Sequence, residues 1–237
     1  MFSVTAFGFS FTSSWKMLVL AIVTMSLFIR LGFWQVHRAE EKRHLLTAYQ
    51  MQMERAPLPF SEEPVQQYQR ISLEGYYLPI VLLLDNQHHA HQFGYDVLSP
   101  LVLSNGKVVL IDRGWIAGDA GRLILPRIDT PSLAQHIHGD VYFPSAKQWL
   151  LGQSLDIKTK HLAVIETLDI ATVSQFLHKS VYPFIIRQSA DDTNGYVRDW
   201  AIVSTPPGRH DAYALQWFMF AVVAGILYLT LNIKKIT

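Results

Sequence analysis

The sequence predicts an α+β membrane protein. Two transmembrane helices, one N-terminal and one C-terminal, flank a mainly antiparallel β domain that lies outside the membrane. Three observations predict this. Half of the 237 residues are hydrophobic and only 16% are charged, against about 25% in an ordinary soluble domain. Two long apolar runs stand near the ends, at residues 17–29 and 212–233. Between them lie short alternating segments separated by turn residues, the pattern of half-buried strands.

The first apolar run is interrupted by Arg30 and resumed by Leu31-Gly32-Phe33-Trp34. A span needs roughly 20 apolar residues, and a long Arg stem near one face reaches the interface, so residues 15–35 are expected to cross. A cleaved leader would have a shorter apolar part and a small-residue cleavage site; Phe33-Trp34-Gln35 is a poor substitute, and an uncleaved anchor is expected. The second span is expected at residues 210–233, its core free of formal charge between Asp211 and Lys234. Lys16, Lys234 and Lys235 place the two ends, 1–14 and 234–237, in the cytoplasm. Residues 36–209 then lie in the periplasm, beyond a cell inner membrane. Arg38, Lys42 and Arg43 oppose this arrangement, but a segment of about 170 residues translocates largely regardless of charge.

Beyond Trp34 the helix is expected to continue from residue 35 to 53, through good helix formers and mixed charges, until Ala56-Pro57-Leu58-Pro59 breaks it. Strands are expected at 70–78, 80–84, 94–103, 107–115, 137–143, 161–165 and 184–188, with a loop after Asp85-Asn86. Ser104-Asn105-Gly106-Lys107 is a strong hairpin signal, because Asn-Gly suits the positive φ angles of a tight turn. Residues 169–178 read as an amphipathic helix, with Ile170, Val173, Phe176 and Leu177 on one face. Gly75 and Gly114 read as structural positions in strands or turns.

Composition narrows the chemistry. Net charge is +1, from 20 basic and 19 acidic residues, which gives no electrostatic reason for a nucleic-acid partner. The absence of cysteine excludes disulfides, thiolate zinc sites, iron–sulfur clusters and a thiol nucleophile. There is no nucleophile elbow, Walker loop, dinucleotide fingerprint or His-Glu-x-x-His helix, so an enzyme is not expected.

The motifs, taken in order, resemble a known family. Leu31-Gly32-Phe33-Trp34-Gln35-Val36-His37-Arg38 is similar to the Leu-Gly-x-Trp-Gln-x-x-Arg signature closing the first helix of the Surfeit locus protein family. These are assembly factors of haem–copper terminal oxidases, chiefly cytochrome c oxidase. Arg70, Gly75 and Tyr76, then Gly94-Tyr95 and Pro100-Leu101, resemble the next segments. Arg113-Gly114-Trp115 resembles its Asn-Arg-Gly-Trp motif, with Asp112 in place of Asn. His210, Tyr213, Ala214, Gln216 and Trp217 fit the pattern that opens the second helix, with Gly208-Arg209 in place of Asn-Asn. The resemblance implies a role in supplying or holding haem a for the oxidase's catalytic subunit, with that subunit or haem a synthase as partner beside the lipid bilayer. It also implies haem a binding through His210.

The residues allow this chemistry without requiring it. A neutral imidazole at a membrane interface can ligate haem iron through Nε2. On a helix His210, Tyr213, Ala214, Trp217, Ala221 and Ala224 share a face by their three- and four-residue spacing, a surface against which a porphyrin could lie. Equally, His210 is an interfacial polar residue, Tyr213 and Trp217 belong to the aromatic belt, and Ala221 with Gly225 packs the two helices. Arg38, Arg113 and Arg209 are candidates for haem propionates; otherwise Arg38 meets headgroups and Arg113 an ordinary ion pair. His88, His89 and His91 could hold a metal or lie in a polar loop. Two other functions stay open, a chaperone of the oxidase subunit without haem contact and a membrane-tethered hydrolase or metalloenzyme.

Overall fold

A computed structural model describes residues 2–6, 9–61, 64–144 and 155–235. Strands β1 (Phe2–Ala6) and β2 (Phe9–Ser13) precede the long helix α1 (Trp15–Met53). Then come β3 (Leu58–Pro59), β4 (Arg70–Tyr77), β5 (Val81–His89), β6 (Gln92–Val102), β7 (Val108–Ala117) and β8 (Gln135–Tyr142). They are followed by β9 (Leu155–Thr159), β10 (Leu162–Ile165), helix α2 (Ile170–Leu177) and β11 (Val181–Gln188), and by helix α3 (Pro207–Asn232) and β12 (Ile233–Lys235). The chain forms two compact units, Met1–Ala48 with Ala201–Thr237, and Tyr49–Trp200.

The first unit is a helical hairpin. α1 is one unbroken helix through the expected span and its polar extension, and α3 opens with Pro207, whose missing N–H costs nothing in a first turn. Met25, Phe28, Gly32, Gln35 and Ala39 recur at alternating three- and four-residue steps, the seam spacing of packed helices. Met25 lies against Gly225, Phe28 stacks on Trp217, Gly32 meets Phe218 and Gln35 meets His210. Partner numbers fall overall from Gly225 opposite Met25 to His210 opposite Gln35, so the helices run antiparallel. On α3 the buried seam residues are Ala214 and Ala221, whose small side chains let the backbones approach. The outward faces carry exposed Leu20, Val23, Leu215 and Leu227, and both helices are long and apolar enough to cross a bilayer. At the far end β2 pairs antiparallel with both β1 and β12, and Tyr228 donates to Ser13 Oγ at 3.0 Å. These end strands are not anticipated by the sequence. Residues 236–237 of the expected tail lie outside the described residues.

The second unit is built on a sheet that closes. β4 pairs with β8, β8 with β11, β11 with β7, β7 with β6, and β6 returns to β4 through Tyr76↔Val102 and Tyr77↔Leu101. Period-2 alternation turns one face of each strand inward. Ile71, Leu73, Leu101, Val109, Ile111, Ile137, Val141, Phe184 and Ile186 fill that interior. β6 is long enough to serve a second job. Before a bulge between Asp96 and Leu98 its N-terminal half carries β5, to which β10 and β9 are added. α2 covers the outer face, with Val173 and Leu177 packed among Leu82, Leu98, Leu110 and Ile185. Its N-terminus is capped by Asp169, which accepts from the N–H groups of Ala171 and Thr172.

Pairing is mainly antiparallel, with parallel contacts at β3–β4, β5–β10 and β7–β11. One expectation fails. The sequence places a loop after Asp85-Asn86, but β5 runs on through His88 and His89. A register shift between Leu84 and Gln87 absorbs Asn86, whose φ of 60° an Asn tolerates, and pairing with β6 resumes. The connection is only Ala90-His91, both at positive φ, as a tight hairpin turn requires.

Candidate functional site

The helical hairpin holds the candidate site. His210 lies in the first turn of α3, on the seam with Ala214, Trp217 and Ala221. Opposite it on α1 stands Gln35, a lone amide in a seam otherwise made of Met25, Phe28, Gly32 and Ala39. His210 Nδ1 lies 2.8 Å from Gln35 Oε1. A carbonyl oxygen can only accept, so Nδ1 is the donor, and in the neutral imidazole Nε2 then keeps its lone pair. That Nε2 is shielded from solvent and has no hydrogen-bond partner among the described residues. Arg43 and Asp211 form an ion pair one residue along α3.

The other expected site residues are distributed differently. Trp217 stacks on Phe28 with ring centroids 5.8 Å apart, and Ala214 and Ala221 are buried against α1. This part of the face proposed for a porphyrin is therefore used in helix packing, while Tyr213 points away from it, 49% exposed. Arg38 pairs with Glu41 one turn on. Arg209 is exposed, with no side-chain partner among the described residues.

Arg113 belongs to the second unit and is 3% exposed. Its Nε and Nη2 donate to Asn194 O, and its Nη1 donates to Asp129 O at 3.0 Å. The guanidinium lies between the rings of Tyr77 and Tyr196. It braces two loops through their carbonyls, and among the described residues it forms no ion pair. Beside it is a cavity of about 600 Å³ lined by Asp129, Thr130, Ser132, Gln135, Asn194 and Tyr196. His89 Nδ1 stands 3.9 Å from Asp199 Oδ2 and His91 sits in the β5–β6 turn. Among the described residues no three His, Asp or Glu side chains gather as a metal site would need.

A second polar constellation crosses the outer face of the closed sheet. Arg187 on β11 is directly opposite Asp112 on β7 and Asp140 on β8. Its guanidinium lies 3.6 Å from the ring centre of Tyr142 and 5.4 Å from that of Trp200. Burial pushes the carboxyls of Asp140 and Asp96 up to about 6, with Arg187 pulling each back. Burial raises Asp112 further, reinforced by Asp96. Nε and Nη1 of Arg187 and Oδ2 of Asp140 have no partner among the described residues. No local sequence signal marks this row, since register alone assembles it.

Gln35 lies in the motif that closes the first span, where the sequence assigns it no role. The available signal is a polar side chain placed in an otherwise apolar span.

Comparison with known proteins places these features in a wider set. The SURF1 family model matches residues 22–222. A SURF1-like protein of Rickettsia felis is 28% identical over 218 residues, covering 89% of this chain and 94% of that protein. An uncharacterized SURF1-like protein of Mycobacterium bovis is 23% identical over 238 residues, covering 92% and 83%. A SURF1-like protein of Dictyostelium discoideum is 34% identical over 101 residues, 37% of each chain.

Proposed function

The chain belongs to the SURF1 family, and from that premise we propose that it is a non-enzymatic assembly factor of a haem–copper terminal oxidase. It works in the cell inner membrane with residues 36–209 on the periplasmic side. Its cargo is haem a, and its partner is the oxidase's catalytic subunit or haem a synthase.

The observation that carries the haem reading is the buried Nε2 of His210, unpartnered among the described residues. A polar atom shielded from water and left without a partner is costly, and a neutral imidazole with its proton on Nδ1 is the form that ligates iron. The residues present therefore fit the group. His210 would hold the iron, and Arg209, free of a side-chain partner among the described residues, would suit a propionate. The iron and its ring supply the redox chemistry once in the oxidase. This chain's residues bind the cargo and shield it.

The packing of Ala214, Trp217 and Ala221 against α1 favours a second reading, in which the hairpin serves the oxidase subunit as a chaperone and touches no haem. Deleting the chain and measuring haem a per catalytic subunit in purified oxidase separates the two. The haem reading expects the ratio to fall while subunit persists. The chaperone reading expects subunit to fall with the ratio kept. Oxidase normal in both amount and haem content would remove the assembly role itself.

A further inference from the structure

We propose that Gln35 is the positioning residue of the His210 site, fixing the imidazole tautomer and ring direction from the facing helix. This rests on the reading of His210 as an iron ligand.

A glutamine at this position is costly. At its seam position an apolar or small side chain would pack as Met25, Phe28, Gly32 and Ala39 do. A half-buried amide between helices that cross a membrane is stabilised by a partner. Gln35 Oε1 finds one group across the hairpin, His210 Nδ1, 175 residues away in the chain. That bond has a consequence beyond adhesion. An imidazole is symmetrical enough to bind through either nitrogen, and a proton resident on Nδ1 leaves Nε2 as the ligating atom. Metal-ligating histidines characteristically donate the other N–H to a carbonyl or carboxylate, which fixes the ring and raises its basicity. Gln35 supplies that acceptor before any iron arrives. The ion pair of Arg43 with Asp211 and the stacking of Phe28 on Trp217 flank the bond and hold the two helices in register around it.

A merely adhesive hydrogen bond predicts something different. It would affect melting temperature and tautomer and leave haem affinity and midpoint potential unmoved. Three full-length proteins in lipid nanodiscs separate the two roles: the parent, Gln35→Leu and Gln35→Glu. Nitrogen NMR of ¹⁵N-histidine protein without haem, with His210→Ala identifying the signal, reads the tautomer directly. We expect a single Nδ1–H form in the parent, a mixture in Gln35→Leu and the Nδ1–H form again in Gln35→Glu. On loading with haem a, Gln35→Leu should bind about 10–100-fold more weakly. Gln35→Glu should bind with a lower midpoint potential than the parent, because a carboxylate acceptor makes the ligand more electron-donating.

Equal tautomer populations in the three proteins, or haem affinity and potential unchanged among them, would overturn the proposal. Failure of the parent to bind haem would instead overturn the reading on which it rests, and the tautomer measurement would still report on Gln35. The two failures are thus distinguishable.

Discussion

The ring of Phe218 packs directly onto Gly32, so that a Cβ built there would stand 2.5 Å from the phenyl Cε1. The same ring meets Phe33 edge-on at 5.3 Å, which leaves it little freedom to withdraw. Gly32→Ala should cost about 1–3 kcal/mol through overpacking, and Gly32→Leu should separate the helices at the level of Gln35. Thermal melting of the purified full-length protein checks this. A Gly32→Leu protein that melts with the parent would contradict the close approach.

Gly114 carries a different constraint. Its φ is +110°, and a Cβ would lie 2.6 Å from Val197 O. It precedes Trp115, whose N–H and C=O both bond Val197. Gly114→Ala therefore combines backbone strain of about 1–3 kcal/mol with loss of that bridge. It should lower the melting temperature and the amount of protein in membranes. At Gly75 a Cβ would run into Val102 O, so Gly75→Glu should act in the same direction. Variants that accumulate and melt like the parent yet block oxidase maturation would assign these glycines a role in the chemistry.

The carboxyls facing Arg187 predict a pH dependence. Asp140 is pushed up to about 6 by burial, against the pull of Arg187. A carboxyl with a raised folded pKa holds its proton more tightly when folded. Its contribution is complete below the unfolded pKa of about 3.9 and is lost as pH rises through about 6. Asp140→Asn, permanently neutral, lacks that loss. The melting temperature of the variant minus that of the parent should rise between pH about 4 and about 7 and then level. A difference that falls over this range would contradict the assignment.

The Asn105-Gly106 turn tests topology. Gly106 takes a φ of +78° with open space where a Cβ would stand, so an inserted segment has room to leave the turn there. A reporter active only in the periplasm should be active at this site. Labelling of the turn from the cytoplasm would reverse the orientation.

What was legible in the sequence was local. The Asn-Gly turn and the helix over Ile170–Leu177 each announce themselves within a few residues, and the two spans by length and composition. Closure of the sheet depends on Tyr76 and Tyr77 meeting Val102 and Leu101, a pairing that alternation permits and does not specify. The passage of β5 through Asp85-Asn86 was obscured because turn formers in a bulge look like turn formers in a loop. His210 was legible as a polar residue beside a span. Its partner Gln35 was not, because the bond depends on the phase of one helix against another.

The measurement that bears most directly on the central claim is the haem a spectrum of His210→Ala beside the parent, co-produced with haem a and compared at equal protein level. The side chain sits in the first turn of α3 and contributes one hydrogen bond to the hairpin, so the variant should insert and fold. The parent should carry a haem a band and His210→Ala should lose it. An unchanged band in the variant would contradict His210 as the iron ligand.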